Sequence, residues 1–483
     1  MDSFAMLKDG VSFDRKRFAN DISLFSESLP QKKPKIEAPS TNNIRKEFKI
    51  HTSGSNIPEP ISSWSQLFQL YPFLQKTQDL ITKQYENLTA VQMQAFPLLM
   101  QKRDTIAIAP TGSGKTLAYL LPLISLVKNR EKLKGLIITP TKELARQVFK
   151  EFVVLSEGTG IVGQLIRKRG KELEELTEDC DVIICTPLTL VHMMGENDLP
   201  SIEFVIIDES DQLFDMGYLD QVDQILKKCQ GGCTKWMFSA TMLPAVEMLA
   251  YSMLIDPAKI SVGIQNATVS TVSQELKFCT NEAGKTIALK QMMQNGELSP
   301  PVLVFVQSKD RAIQLGKEIK ELVPHTLAIH SGLDDKNREI IVKNFRTGST
   351  WILICTDLMS RGMDFHGVRL IINFDFPQSV ISYIHRIGRA GRAGETAKAV
   401  TFYTIEDAPY VKMIANVMKK SGFEVPEWMM KLKTPSKEMK KKLEKKPIKR
   451  ENISSKYRIS RSLRKFMKKK HQQSSEDQAE EKI

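Results

Sequence analysis

The chain has 483 residues, of which 41% are hydrophobic and 26% charged, enough for two or three globular domains and unlike a wholly disordered protein. Its formal net charge of +13 is concentrated, because residues 431–470 alone carry 18 Lys/Arg and 3 Asp/Glu, a net of +15. The sequence shows no signal peptide, no zinc spacing among its six cysteines and no apolar run long enough to span a bilayer, which together predict a soluble intracellular protein without a membrane partner.

The first α/β domain is predicted over residues 61–264, after a mobile leader over residues 1–60 that lacks hydrophobic periodicity. Short apolar, β-branched segments alternate there with helical stretches, as expected for a buried parallel sheet. The predicted strands are Thr105–Ala109, Gly135–Thr139, Val182–Thr186, Phe204–Asp208 and Trp236–Ser239. Each ends in polar residues, and the carboxyl ends of such strands line the ligand crevice, so we expect the chemistry there.

A second α/β domain is predicted over residues 272–426, after a linker over residues 265–271. Its predicted strands are Val302–Val306, Thr326–His330, Trp351–Thr356, Leu370–Phe374 and Ala399–Tyr403. Residues 427–483 form a basic tail, which favours binding to nucleic acid or another polyanion. A solvated tail without a partner is the alternative.

A phosphate-binding loop follows the first of these strands. It consists of Ala109, Pro110, Thr111, Gly112, Ser113, Gly114, Lys115 and Thr116. Glycines allow backbone N–H groups to face phosphate oxygens, and the start of the next helix adds a favourable dipole. In such a loop the lysine pairs with the β- and γ-phosphates and the threonine binds Mg²⁺, which predicts ATP or a related nucleotide with Mg²⁺.

Acidic residues follow a later buried strand, at Asp208-Glu-Ser-Asp211. Asp208 is predicted to hold Mg²⁺ through water, and Glu209 to take a proton from the attacking water. Asp211 is predicted to accept hydrogen bonds from a group opposite, with Ser239 and Thr241 beside it at the end of the next strand. A solvated acidic loop is the alternative.

Together these motifs resemble those of the DEAD-box RNA helicase family. The phosphate loop, the Asp-Glu-Ser-Asp line, Ser239-Ala-Thr241, residues 356–364 and the His385-Arg-Ile-Gly-Arg line occur in the family's order and spacing over roughly residues 61–410. The resemblance implies two tandem RecA-like domains with parallel sheets, which bind ATP and single-stranded RNA across the cleft between them.

The resemblance also assigns roles by position. Residues similar to the family's RNA-contacting motifs are Pro140, Thr141, Lys142, Thr186, Pro187 and Thr356. Gly362 and Asp364 match the motif that holds the ATP ribose, and His385 is similar to the partner of Asp211 across the cleft. Arg389 and Arg392 match the arginine fingers, whose planar charged groups suit the developing charge on the γ-phosphate.

Upstream, Thr89-Ala-Val-Gln92 resembles the adenine-reading motif of the family, because a glutamine can offer both a donor and an acceptor to the adenine edge. The family places an aromatic residue about 25 residues earlier, and Trp64 is in that place. We therefore expect Trp64 to stack on adenine; a buried core tryptophan is the alternative.

This chain departs from the family pattern mainly on the RNA side of the first domain. Lys142 replaces the usual arginine, Leu188 and Thr189 replace Gly-Arg, and the paired glycines expected near residues 160–170 are absent. These features, with Ser210 and the basic tail, most resemble the branch acting on small-subunit pre-ribosomal RNA. That resemblance implies pre-rRNA and pre-ribosomal particles as partners, together with a protein activator. It also implies a location in the nucleus, within the nucleolus.

The sequence therefore predicts an ATP-dependent RNA helicase. The first alternative is an ATP-dependent RNA clamp or scaffold with little turnover, which the presence of Glu209 and both finger arginines disfavours. A DNA helicase is a second alternative, and comparing RNA with DNA as activators separates it. A GTPase is disfavoured because no Asn-Lys-x-Asp guanine signature occurs.

Overall fold

The computed structural model describes residues 44–127, 133–169, 172–173, 177, 179–194, 199, 201–229, 232–263, 268, 271–357, 365, 367–391, 395–433, 448, 450 and 452–453. Gly362, Asp364 and Arg392 lie outside the described residues, as do residues 1–43 of the predicted leader. Most of the predicted linker and of the basic tail also lies outside them.

The first domain is built on a sheet that is parallel except for one edge strand. Its strands are β1 (Ile50–Ser53), β2 (Thr105–Ile108), β3 (Gly135–Ile138), β4 (Gly163–Leu165), β7 (Val182–Cys185), β8 (Phe204–Ile207), β9 (Thr234–Ser239) and β10 (Ala258–Val262), and β5 (Lys168–Arg169) pairs separately with β6 (Glu172–Leu173). Among the described residues the sheet order is β1-β10-β2-β9-β8-β3-β7-β4, and only β1 is antiparallel to its neighbour. All five strands predicted from the sequence are present, within two residues of the expected ends.

The second domain is built on a sheet whose described strands all run parallel. They are β11 (Val272–Phe278), β12 (Val302–Val306), β13 (Thr326–Ile329), β14 (Ile352–Thr356), β15 (Leu370–Asn373) and β16 (Ala397–Tyr403). Their order is β11-β16-β15-β12-β14-β13. The prediction of two parallel-sheet α/β domains is confirmed.

Helices cover both faces of each sheet. In the first domain they are α1 (Ile44–Glu47), α2 (Trp64–Leu70), α3 (Gln78–Gln84), α4 (Ala90–Met100), α5 (Lys115–Leu126), α6 (Lys142–Ser156), α7 (Pro187–Met194), α8 (Ser210–Asp215), α9 (Leu219–Lys228) and α10 (Pro244–Met253). In the second they are α11 (Glu282–Gln294), α12 (Lys309–Lys320), α13 (Asp335–Arg346), α14 (Val380–Ile387), α15 (Ala408–Lys420) and α16 (Glu427–Lys431). No helix in the described part of the chain is long and apolar enough to cross a membrane.

Successive strand residues pack into two separate cores, one on each face of the sheet. In β2, Ile106 and Ile108 join one hydrophobic cluster, whereas Ala107 joins the other. Side chains alternate across a strand, so a sheet covered on both faces needs apolar residues at every position. This explains why the strands appear in the sequence as continuous apolar runs.

Both predicted extensions are shorter than the sequence indicated. Residues 44–60 belong to the first domain, because α1 and β1 pack against it and β1 pairs with β10. β1 has only four residues and two of them are exposed, which explains why no periodicity marked it. At the other end, α16 and Arg450 pack on the second domain, so part of the predicted tail is folded structure.

Candidate functional site

The phosphate loop joins the carboxyl end of β2 to the start of α5. Gly112 and Gly114 have φ angles of +75° and +82°, which only glycine adopts without strain. A side chain at Gly114 would also collide with the amide of Gln92. Lys115 is buried, and its Nζ donates to the carbonyl oxygens of Ala109 at 2.7 Å and Pro110 at 2.9 Å. The loop therefore presents helix-start N–H groups and one lysine, the chemistry of an anion site.

Gln92 connects the predicted adenine site to the phosphate loop. Its Oε1 accepts from the Thr89 N–H at 2.9 Å, and its Nε2 donates to the Gly114 carbonyl at 3.1 Å. A glutamine amide can make four hydrogen bonds, so one donor and one acceptor position remain for a base edge. The Oγ of Ser113, in the same loop, is buried without a hydrogen-bond partner among the described residues, as expected of a group that meets a ligand.

Trp64 is a buried residue, which favours the core alternative over the predicted stacking on adenine. The side chain is 5% exposed and belongs to the main hydrophobic cluster of the first domain. Phe68 stacks beside it at a centroid distance of 6.1 Å, and Phe96 lies at 6.2 Å. These neighbours occupy the space around the indole, so the alternative, a buried core tryptophan, describes this position.

The acidic turn after β8 holds two carboxylates side by side. Asp208 is 3% exposed, and its Oδ2 accepts from the Tyr119 hydroxyl at 2.8 Å. Burial, followed by the neighbouring charge of Glu209, raises the pKa of Asp208 to about 6. Glu209 has φ +47°, and its Oε2 is buried without a hydrogen-bond partner in the described residues. The turn thus holds one carboxylate oxygen free to accept a proton.

The residues at this turn fit a magnesium ion. A bound cation would offset the burial and the repulsion from Glu209 that disfavour an ionised Asp208. Among the described residues no group of three or more acidic, histidine or cysteine side chains could hold a metal. Magnesium does not need one, because it is bound through one or two carboxylates, water and substrate phosphates. Asp208 and the hydroxyl of Thr116 are the protein oxygens that would hold it.

Asp211 joins the two domains through a single carboxylate oxygen. Its Oδ2 accepts from the Thr241 N–H at 3.0 Å, from the Thr241 hydroxyl at 2.5 Å, and from His385 Nε2 of the second domain at 3.0 Å. Ser239 donates its hydroxyl to the Thr241 carbonyl at 2.5 Å. Burial alone would raise the pKa of Asp211, but His385, Thr241 and Ser239 lower it to about 2. The carboxylate is therefore a charged hydrogen-bond acceptor inside the interface.

Two further contacts cross the cleft near the phosphate loop. The hydroxyl of Thr111 donates to the Gly388 carbonyl at 3.1 Å. Arg389 is 3% exposed, and its Nη2 lies 3.8 Å from the Glu209 carboxylate. The domains therefore sit closed, with one predicted finger arginine already beside the predicted base.

Five of the six predicted RNA residues line a cavity of about 430 Å³ between the domains. The lining residues that the sequence predicted are Pro140, Thr141, Lys142, Thr186 and Pro187, and those that it did not are Glu143, Leu188, Thr189, His192, Met216, Tyr218, Ser331 and Arg338. Arg338 of the second domain pairs with Glu143 at one wall. Thr356 ends β14 and is 9% exposed, and it does not line this cavity. His192 lies four residues after Leu188 in α7, so the two share one face of that helix.

Two family models match the chain. The DEAD/DEAH box helicase model covers residues 89–249, and the helicase conserved C-terminal domain model covers residues 284–394. The chain is 38% identical to the ATP-dependent RNA helicase ROK1 of Yarrowia lipolytica, over 95% of this chain and 88% of that protein. It is 39% identical to the probable ATP-dependent RNA helicase DDX52 of Bos taurus, over 86% of this chain and 72% of that protein.

A similar solved structure is that of Dbp5 from S. cerevisiae bound to RNA and ADP BeF3. It has a TM-score of 0.65 and 26% identity, over 78% of this chain and 98% of that chain. This structural match covers most of the chain. The alignments with the two sequence relatives likewise cover most of this chain and most of each relative. The chain therefore belongs to the DEAD-box family of ATP-dependent RNA helicases.

Proposed function

We propose that this chain couples ATP hydrolysis to the separation of RNA duplexes or the remodelling of ribonucleoprotein particles. The observation that carries the proposal is the hydrogen bond between His385 and Asp211, which joins the two domains across the cleft. Closure over ATP and one RNA strand would favour the bent single strand over the duplex. Opening after hydrolysis would release it.

Each step has a residue suited to it. Lys115 and the loop amides would hold the β- and γ-phosphates, and the magnesium ion held by Thr116 and Asp208 would neutralise phosphate charge. Glu209 would accept the proton of the attacking water. Arg389, with Arg392, would stabilise the charge that develops on the γ-phosphate.

We further propose that the substrate is small-subunit pre-ribosomal RNA, met in the nucleolus with a protein activator. The motif departures shared with that branch of the family support this, together with the +15 charge of residues 431–470. Contacts from the cleft to phosphate and ribose, rather than to base edges, would make the core indifferent to sequence. Selection of the RNA would then lie outside the core.

Two experiments test the proposal. Phosphate release by the purified chain should rise on addition of single-stranded RNA and far less with single-stranded DNA, and a labelled duplex should separate only with ATP. Binding of ATP and RNA without turnover would instead favour a clamp. Crosslinking in cells followed by sequencing of the bound RNA should recover small-subunit pre-rRNA; enrichment of unrelated RNA would refute that assignment while leaving the helicase activity intact.

A further inference from the structure

Arg450 is buried in the second domain, although it lies in the basic C-terminal region. Its side chain is 1% exposed. Nη1 lies 2.9 Å from the Glu282 carboxylate, Nη2 lies 2.7 Å from that of Asp407, and Nε lies 3.6 Å from that of Asp375. Nε also donates to Gln307 Oε1 at 2.9 Å. We call Glu282, Asp375 and Asp407 the acidic socket.

Neighbouring residues hold the same segment against the domain. The Ile448 carbonyl accepts from the Gln307 amide at 3.2 Å, and the Ile453 N–H donates to Gln314 Oε1 at 2.9 Å. Ile453 is 8% exposed and belongs to one hydrophobic core of the domain. The arginine is therefore fixed by contacts on both sides of it along the chain.

The socket lies at the carboxyl edge of the second sheet. Glu282 follows β11, Asp375 follows β15 and Asp407 follows β16, while Gln307 follows β12. Thr356 ends β14, which pairs with β12 along the same edge. This edge of a parallel sheet is where ligands meet the domain. The C-terminal segment thus contacts residues that follow four of the six described strands of this sheet, next to the end of β14.

Among the residues that the structure describes, the charges of the socket balance when the arginine is present and not without it. Lys285 lies 2.7 Å from Glu282 and within 4 Å of the other two carboxylates, and Arg311 pairs with Glu282 and Asp375 at 2.6 Å. In the described part of the chain, three buried carboxylates thus face two cations from the domain itself, Lys285 and Arg311, and Arg450 supplies the third. Removing one partner of such a cluster leaves an uncompensated buried charge, which is strongly destabilising.

The socket connects to the interdomain contact through one more arginine. Arg386 donates from Nη1 to the backbone carbonyl of Asp375 at 2.7 Å and from Nη2 to Asp357 Oδ2 at 2.8 Å. It directly follows His385, which contacts Asp211 of the first domain. The C-terminal segment reaches Asp375 through Gln307, which accepts from Arg450 Nε at 2.9 Å and donates its backbone N–H to Asp375 Oδ2 at 2.8 Å. From Asp375 the contacts continue to Arg386 and then along the backbone to His385 at the cleft.

We propose that Arg450 is a positioning residue for RNA-stimulated ATP hydrolysis. It holds Asp375 in place and, through Asp375, orients Arg386, so that His385 meets the first domain when the cleft closes. The C-terminal segment is in this respect part of the hydrolytic machinery as well as a carrier of positive charge. The inference rests on the proposed coupling of RNA binding to hydrolysis.

The test compares Arg450→Gln with the unaltered full chain at a temperature where circular dichroism shows both folded. RNA-stimulated kcat should fall by about 2- to 30-fold, the range that coupling through such a network produces. Nucleotide affinity without RNA should stay within about twofold, because the phosphate loop and Gln92, which bind the nucleotide in the open form, both belong to the first domain. Lys420→Gln is the matched control: it removes one exposed charge from the same domain and should leave kcat unchanged.

A second substitution tests the charge balance. Asp407→Asn in the Arg450→Gln background removes the excess negative charge. The asparagine keeps one side-chain oxygen, which can still accept the hydrogen bond that the Thr404 N–H donates to Asp407 at 2.9 Å. This double variant should regain most of the decrease in unfolding temperature and kcat that Arg450→Gln causes. If it stays as impaired as the single variant, the charge-balance argument fails.

Wild-type kcat in folded Arg450→Gln overturns the inference even when the unfolding temperature falls. If Arg450→Gln does not fold, Arg450→Lys is measured instead. The lysine keeps the charge balance, but its single ammonium group cannot pair with Glu282 and Asp407 as the two guanidinium nitrogens do. Reduced kcat in this variant then supports the inference, and wild-type kcat overturns it. If the rate of ATP hydrolysis by the wild-type chain is the same with and without RNA, the proposed function itself is refuted.

Discussion

Replacing His385 with alanine should weaken closure of the cleft without weakening nucleotide binding to the first domain. The Asp211 carboxylate can only accept, so His385 Nε2 donates to it at 3.0 Å, while Nδ1 accepts from the Gln212 amide at 2.9 Å. Asp211 and His385 are 0% and 3% exposed, so water screens the contact little. All of these interactions cross the domain interface, so they stabilise only the closed form.

The magnitude follows from the charge on Asp211. A hydrogen bond to a charged group contributes about 1.5–3 kcal/mol. At about 1.4 kcal/mol per tenfold change, its loss lowers the closure equilibrium by roughly 10- to 150-fold. We expect kcat divided by the half-stimulating RNA concentration to fall by this factor in His385→Ala.

The assay is steady-state phosphate release over a range of RNA concentrations, with nucleotide affinity measured separately without RNA. Asp211→Asn and the double variant complete the cycle, and their effects should be far from additive because the two side chains share one bond. Unchanged RNA stimulation in His385→Ala would refute the account. So would an equal loss of nucleotide affinity without RNA, since His385 would then act on the first domain alone.

The remaining predictions concern chemistry, base choice, acid stability and the C-terminal region. Glu209→Gln should bind ATP and RNA yet stall in the closed form, whereas Lys115→Ala should lose nucleotide affinity; near wild-type turnover in the glutamine variant would disprove the assignment of the base. Gln92→Ala should erode a preference for ATP over GTP, and equal use of both nucleotides by the intact chain would contradict it. Because the pKa of Asp211 is lowered to about 2, its contribution of about 2–3 kcal/mol to the unfolding free energy should be present above pH 4 and lost as the pH falls through 2. An acid titration of Asp211→Asn should lack that loss, and an identical titration would count against it. Deleting residues 454–483 should flatten the salt dependence of RNA binding, by about 0.7 in log–log slope for each phosphate that the segment neutralises, and leave kcat at saturating RNA unchanged; an unaltered slope would make protein docking or import the better role for that segment.

The strands and the phosphate loop could be predicted because local sequence determines them. A parallel strand covered on both faces must be apolar at every position, as β8 is, and the loop needs glycine at Gly112 and Gly114 for its positive φ angles. The spacing of the motifs then indicated which strand ends meet at one edge. The contact between Asp211 and His385 followed from the resemblance, since nothing local links residues 174 positions apart.

Other features depend on contacts that sequence spacing does not specify. The position of Trp64 matched the family's aromatic residue, but only the packing of Phe68 and Phe96 shows which way the ring lies. Arg450 lies in a run of basic residues, so its charge indicated an exposed tail, whereas its partner Glu282 is 168 residues away. Deleting all of residues 431–483 would therefore remove a buried ion partner as well as the basic charge, and it should destabilise the second domain.

The most direct test of the account is the rate of phosphate release by the purified full chain at saturating ATP and magnesium, with and without single-stranded RNA. Closure across the cleft brings Arg389 beside Glu209, so we predict slow release without RNA and a large increase with it, and a strongly reduced increase in His385→Ala. A rate that is the same with and without RNA, or stimulation in His385→Ala that equals that of the unaltered chain, would contradict the claim that RNA drives hydrolysis by closing the two domains.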